Sequence, residues 1–186
     1  VNTKPSLRRT LRQNRRSLTR AQQQQAANRL CHRILRSHWF RRSHSIALYW
    51  PADGEISPLR LLRPALRLGK NIYLPVIRDR GLLFRHYKPG DRLQNNRYDI
   101  PEPLPRQPAL TADKLDLILV PLVAFDRHCN RLGMGAGFYD RCFALTGNRP
   151  WRVGVAHELQ KVAQVPTDAW DKPMHAIITD QAIYRS

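Results

Sequence analysis

The apolar run LDLILVPLVAF, Leu115 to Phe125, leads through four residues into NRLGMGAGFYDR, Asn130 to Arg141. How this pair is read decides the fold. Continuous apolar character without alternation fits a strand buried on both faces. Glycines at 133, 135 and 137 then give up side chains just before Phe138, Tyr139, Asp140 and Arg141. That sequence reads as a central strand, a tight loop and a short helix over about Tyr139 to Leu145.

Outward from this unit, helices and strands alternate. Leu7, Leu11 and Leu18 have helical spacing, so residues 3 to about 17 read as an amphipathic helix with Lys4, Arg8, Arg12 and Arg15 on a second stripe. TRAQ, Thr19 to Gln22, resembles a capping box and opens a second helix whose apolar face runs from Ala26 to Leu35. SIALYW (45–50) reads as a strand ending in the turn PADGE (51–55). A helix between Pro58 and Gly69 should kink at Pro64. NIYLPVI, GLLFRHYK, RVGVAH and HAIIT read as further strands, and Pro89 to Pro108 as a long loop. This order predicts one α/β domain over residues 1–186, three-layered, with a mostly parallel sheet and helices on both faces. Ligands of such sheets gather at the carboxyl ends of strands, where PADGE and the glycine loop both fall.

Composition narrows the function classes without choosing one. The 186 residues carry 32 bases and 14 acids, a net charge of +18. Lys4 and eleven arginines precede the first acid, Asp53, which leaves only +6 for the rest. Such a patch suits nucleic acid, a polyanionic small molecule or plain solvation. No segment reads as a targeting or membrane-spanning stretch. Three cysteines without a CxxC pair fit a reducing, cytoplasmic setting. The seven histidines form no HExxH or comparable metal pattern.

The glycine loop carries most of the chemical information. Its G-x-G-x-G spacing is neither the dinucleotide fingerprint nor a Walker A loop. It can be a ligand-free connection, or a cradle of backbone N–H groups for an anion. Asp140 shifts the balance, because an acid beside a phosphate cradle requires a cation between them. Mg²⁺ held by one or two carboxylates and phosphate oxygens is the usual solution.

RLGMGAGFYDR also resembles the signature of the 5-formyltetrahydrofolate cyclo-ligase family. The similarity extends through KPSLRRTLRQNRRSLT (4–19), ALYWPADGEIS (47–57), VPLVAFDRHCNRLGMGAGFYDR (120–141) and VPTDAWDKPMHAIIT (165–179). The resemblance implies an enzyme that uses ATP and Mg²⁺ to convert 5-formyltetrahydrofolate to 5,10-methenyltetrahydrofolate, and the basic first quarter of the chain motivates polyglutamylated forms of the substrate. ADP and phosphate are the other products.

By the same resemblance, ATP binding falls on Lys4, Pro5, Ser6, Leu7 and Arg8, and on Arg131, Leu132, Gly133, Met134, Gly135, Ala136, Gly137, Phe138 and Tyr139. Folate contacts fall on Trp50 and Glu55 and on Met134 through Phe138. Metal binding falls on Asp140 and Asp171, and no covalent nucleophile is implied. Each has a plainer reading: a solvated basic face for Lys4 and Arg8, a helix N-terminal acid for Asp140, turn acids for Glu55 and Asp171, a core aromatic for Trp50. Arg12, Arg15 and Arg16 are left as surface. The competing function classes are a basic nucleic-acid-binding module, for which no recognised motif is present, and a generic nucleotide-binding phosphotransferase. A monomer is expected, without specific nucleic-acid or membrane partners.

Overall fold

A computed structural model describes residues 3–105 and 108–186. Helix α1 (Lys4–Arg16) begins where Thr3 Oγ1 accepts from the Ser6 N–H and Pro5 occupies the first turn. Helix α2 (Arg20–Arg36) starts with the anticipated capping box, Thr19 and Gln22 satisfying each other's backbone N–H groups. A one-turn helix α3 (His38–Arg42) follows, its Ser37 cap bonded to the Phe40 N–H.

Strands β1 (Ser45–Ala47), β2 (Asn71–Arg78), β3 (Gly81–His86), β6 (Ala109–Leu110), β7 (Leu117–Pro121), β10 (Trp151–Ala156), β11 (Ala176–Thr179) and β12 (Ile183–Arg185) form one sheet. Its order is β12-β11-β10-β7-β1-β2-β3-β6. The five central strands pair in parallel, while β12, β3 and β6 add antiparallel edges. Helices α2, α3 and α4 (Leu62–Arg67) cover one face through Leu30, Ile34, Phe40 and Ala65. Complete burial of Leu30 or Ile34 contributes about 1.5–3 kcal/mol each. The other face packs α5 (Phe138–Ala144) through Cys142 and Phe143. Helix α1 lies over Val123, Ala124 and Leu132.

Several expectations are corrected. The run Leu115 to Phe125 is not one strand. Only β7 lies in the large sheet, and β8 (Ala124–Phe125) pairs instead with β9 (Arg131–Leu132) in a separate ribbon. The run stays apolar because Val123 and Ala124 are buried beneath Leu7 and Leu11, while Leu122 and Phe125 pack into the core that holds α5. SIALYW is regular only to Ala47, although Leu48 still donates to Tyr73 O at 3.0 Å. The proline-rich stretch contains a hairpin, β4 (Leu93–Asn95) with β5 (Pro101–Pro103). Glu102 ties it to β2 by accepting from the Ile77 N–H at 2.8 Å. Arg106 and Gln107, also in that stretch, lie outside the described residues. Pro64 does not bend a long helix: a 3₁₀ turn at 59–61 leads into α4, and Pro64 sits in its first turn, where no amide donor is needed.

Among the described residues no helix is long and apolar enough to cross a membrane. What matters for chemistry is the sheet order. The chain leaves β1 toward β2 on one side, then returns to place β7 on the other. A crevice opens outside the carboxyl ends of strands at such a reversal.

Candidate active site

A cavity of about 660 Å³ fills this crevice. Its walls are the start of α1, the turn after β1, the loop from β9 to α5, and the segment around 168–171. Four bases face it (Lys4, Arg8, Arg12 and Arg131), together with apolar and aromatic surface from Trp50, Phe138 and Tyr139.

Three of the bases are matched to acids, Arg12 to Asp53 in the turn after β1 and the other two as follows. Lys4 Nζ donates to Asp168 Oδ2 at 2.6 Å and to Asp171 Oδ2 at 3.0 Å. Burial alone would raise the Asp171 carboxyl. The Asp168 N–H and the Lys4 ammonium outweigh it and hold the group below the usual carboxylate range. Arg131, whose side chain is nearly enclosed, donates through Nη2 to Asp140 Oδ1 at 2.6 Å. Its Nε is buried without a partner.

The loop between them has little side-chain bulk. Met134, Gly135 and Ala136 are exposed. Gly135 adopts φ +109°, and a Cβ there would stand 3.5 Å from the Arg8 guanidinium carbon. Arg8 Nε donates to Gly133 O at 2.9 Å, which fixes the loop against α1. Gly137, at φ +67°, turns the chain into α5.

The turn after β1 forms the other wall. Asp53 takes a left-handed conformation at φ 53° and its carboxylate accepts from Arg12, Arg15 and Arg16. Glu55 accepts from the Ala52 N–H at 3.1 Å. Burial pushes its carboxyl up to about 7 against the opposing pull of Arg15. Burial also pushes the Tyr139 phenol far upward, with the Glu55 charge adding to it, so Tyr139 stays neutral. Trp50 meets Tyr87 edge-on, ring centroids 6.4 Å apart.

A model of the 5-formyltetrahydrofolate cyclo-ligase family matches residues 1–180. The chain belongs to this family. It is 36% identical over 184 residues to the 5-formyltetrahydrofolate cyclo-ligase of Escherichia coli K12, covering 94% of this chain and 98% of that one. The Haemophilus influenzae cyclo-ligase is 40% identical over 177 residues, covering 92% and 95%. In three dimensions the chain is similar to the 5,10-methenyltetrahydrofolate synthetase of Aquifex aeolicus. That match has a TM-score of 0.85 at 29% identity, covering 98% of this chain and 92% of the other. The α/β fold is therefore that of the cyclo-ligases, and the chain is an enzyme of that family.

On this cyclo-ligase fold, the residues singled out from the sequence converge closely. Lys4, Arg8, Trp50, Glu55, Asp171 and the whole stretch from Arg131 to Asp140 line one cavity. Pro5, Ser6 and Leu7 do not. Pro5 and Ser6 shape the start of α1, and Leu7 is buried against Val123 and Leu132.

Arg12, Arg15 and Arg16 are not simply surface. Arg12 lines the cavity, Arg15 is completely buried, and all three hold Asp53. Arg15 lies eight positions after Leu7 and four after Leu11, on the same stripe, and that spacing was the available signal. Asp168 had no local signal, since its partner Lys4 is 164 positions away.

Proposed function

We propose that this chain couples cleavage of ATP to ring closure of 5-formyltetrahydrofolate, giving 5,10-methenyltetrahydrofolate, ADP and phosphate. The supporting observation is that one cavity carries both an anion-binding set (Lys4, Arg8, Arg131 and the glycine loop) and a wall suited to a pterin (Trp50 and Glu55). Donor and acceptor can then meet without moving between sites.

The formyl group on N5 is amide-like, a poor electrophile whose oxygen leaves badly. In the proposed reaction its oxygen attacks the γ-phosphorus and ADP departs. N10 then attacks the activated carbon, the carbon–oxygen bond to phosphate breaks, and the N10 proton is lost. Such a path asks for positioning and charge neutralisation rather than a protein nucleophile.

Lys4, Arg8 and Arg131 neutralise the phosphates, and the loop lets backbone N–H groups approach them. Glu55 accepts hydrogen bonds from the pterin edge, and Trp50 covers an apolar face. Among the described residues no three His, Cys, Asp or Glu side chains gather as a metal cage. Two cavity-facing carboxylates, Asp140 and Asp171, fit Mg²⁺ that keeps phosphate oxygens and water as its other ligands. Bound there, Mg²⁺ would supply charge neutralisation at the transferring group. Polyglutamylated folates suit a chain of net charge +18, with a preference that weakens as salt rises.

The test is to supply ATP, Mg²⁺ and 5-formyltetrahydrofolate together and singly. ADP and the methenyl product should form in equal amounts only when all three are present. Steady ATP hydrolysis indifferent to folate would overturn the assignment.

A further inference from the structure

Arg15 belongs to neither the phosphate-facing nor the pterin-facing set, yet it is completely buried. Every guanidinium nitrogen is engaged. Nε donates to Asp53 O at 2.7 Å, Nη2 to Asp53 Oδ2 at 2.8 Å, and Nη1 to Leu122 O at 3.1 Å. One planar fork therefore joins the turn after β1 to the chain leaving β7. Nη2 also lies 3.7 Å from Glu55 Oε1 and 3.8 Å from Met134 Sδ.

The backbone closes around the same residue. Gln23 Nε2 bridges Arg15 O at 3.2 Å and Gly54 O at 3.0 Å. A Cβ on Gly54 would stand only 3.0 Å from Arg15 O. The turn that carries Glu55 is thus seated directly on the end of α1. The same helix presents Lys4 and Arg8 at its other end.

Simple structural filling does not account for a charge here. Removing a guanidinium from water is costly unless its charge is used, and a well-packed apolar side chain of similar volume often serves as well or better. Asp53 alone does not balance it, since that carboxylate is shared with Arg12 and Arg16. The nearest further acid is Glu55.

We propose that Arg15 is a positioning residue that sets the orientation and charge of Glu55. The ligand served by Glu55 rests on the function proposed above, but the link between the two side chains is measurable in the free protein. Other groups around Glu55 act on it less directly. Arg12 comes from α1, Asp53 from its own turn, Tyr49 from the end of β1, Tyr139 from α5, and His157 from beyond β10, near Gly54. Tyr49 and Tyr139 are kept neutral by burial, and burial also favours neutral His157. The charges that count are then Arg15 on one side and Asp53 on the other.

The sign of the effect can be tested in both directions. The Glu55 midpoint is followed by ¹³C-carboxyl NMR in ligand-free wild-type protein, Arg15→Met, Arg15→Lys and Asp53→Asn. Arg15→Met should raise the midpoint by about one pH unit or more. Folate affinity at pH 7 should then fall by about fivefold or more, as the ionised fraction of Glu55 drops from about one half to about one eleventh, with ATP affinity held within about twofold. Arg15→Lys should raise the midpoint by less. Asp53→Asn removes the opposing charge and should lower it. Asparagine tolerates the left-handed conformation at this position, so that variant keeps the test available if Arg15→Met does not fold.

A Glu55 midpoint unmoved by the folded Arg15 variants and by Asp53→Asn would overturn the proposal. So would equal losses of folate and ATP affinity in Arg15→Met, which would mark a general structural role. If wild-type protein binds no folate, the proposed function fails, while the midpoint measurement still decides the role of Arg15.

Discussion

Lys4 Nζ lies 3.0 Å from Asp171 Oδ2, although 167 positions separate them. Arg131 holds Asp140 in the same way. Two of the three proposed phosphate-binding bases are therefore each paired with a proposed metal-binding acid before either ligand arrives. Phosphate oxygens would compete for the bases, and a divalent cation for the acids.

Metal and nucleotide should accordingly bind as a pair. Mn²⁺ binding, followed by electron paramagnetic resonance, should be weak in the free protein and at least tenfold tighter with a non-hydrolysable ATP analogue present. Lys4→Met should strengthen Mn²⁺ binding in the free protein while weakening nucleotide binding. Equal Mn²⁺ affinity with and without nucleotide in the wild type would contradict the coupling.

Asp140→Asn keeps the shape of the start of α5 but removes a carboxylate. Turnover should fall roughly a hundred- to a thousandfold, about 3–4 kcal/mol at the transition state, and the Mg²⁺ requirement should rise. Binding of folate alone should change little. A folded variant with normal turnover and Mg²⁺ dependence would reduce Asp140 to a helix-end acid worth about 0.3–1 kcal/mol.

Gly135→Val places a branched side chain at φ +109°, facing the Arg8 guanidinium. The strained conformation costs about 1–3 kcal/mol, which an exposed loop can absorb without global unfolding. ATP binding should be lost, and circular dichroism should match the wild type. Retained ATP affinity would mean that phosphates do not approach this backbone.

The raised Glu55 carboxyl also affects stability. Its ordinary value is 4.5 and its value in the fold is about 7, so the fold disfavours the charged form. Stability from this group is greatest below its ordinary value, falls as pH rises toward 7, and levels off above. The full effect is about 3 kcal/mol. In denaturant titrations at pH 5 and pH 8, Glu55→Gln should lose this part of the pH dependence. Folate affinity should rise between pH 6 and 8 in the wild type and stay flat in Glu55→Gln. Parallel behaviour of the two proteins would contradict the assignment.

Local signals made α1 and α2 legible, because the Leu7–Leu11 spacing and the Thr19–Gln22 pair act within a few residues of themselves. The sheet order and the antiparallel edges were not, since short strands such as Ile183–Arg185 depend on partners supplied by the tertiary path. Val123 and Ala124 misled because burial under a helix leaves the same apolar trace as burial in a sheet. In the site, the glycine loop stood out by its own spacing, whereas Glu55 and Trp50, which line the same cavity, were singled out only through the family resemblance. Arg15 was hidden by its charge, and Asp168 by the distance along the chain to Lys4.

The proposed route makes the formyl oxygen the atom that receives the phosphoryl group and leaves with it. 5-Formyltetrahydrofolate labelled with ¹⁸O in the formyl group can be turned over with unlabelled ATP in unlabelled water, and the released phosphate analysed by mass spectrometry. One ¹⁸O per phosphate is the expected result. Phosphate free of the label, formed alongside the methenyl product, would show that activation takes another path.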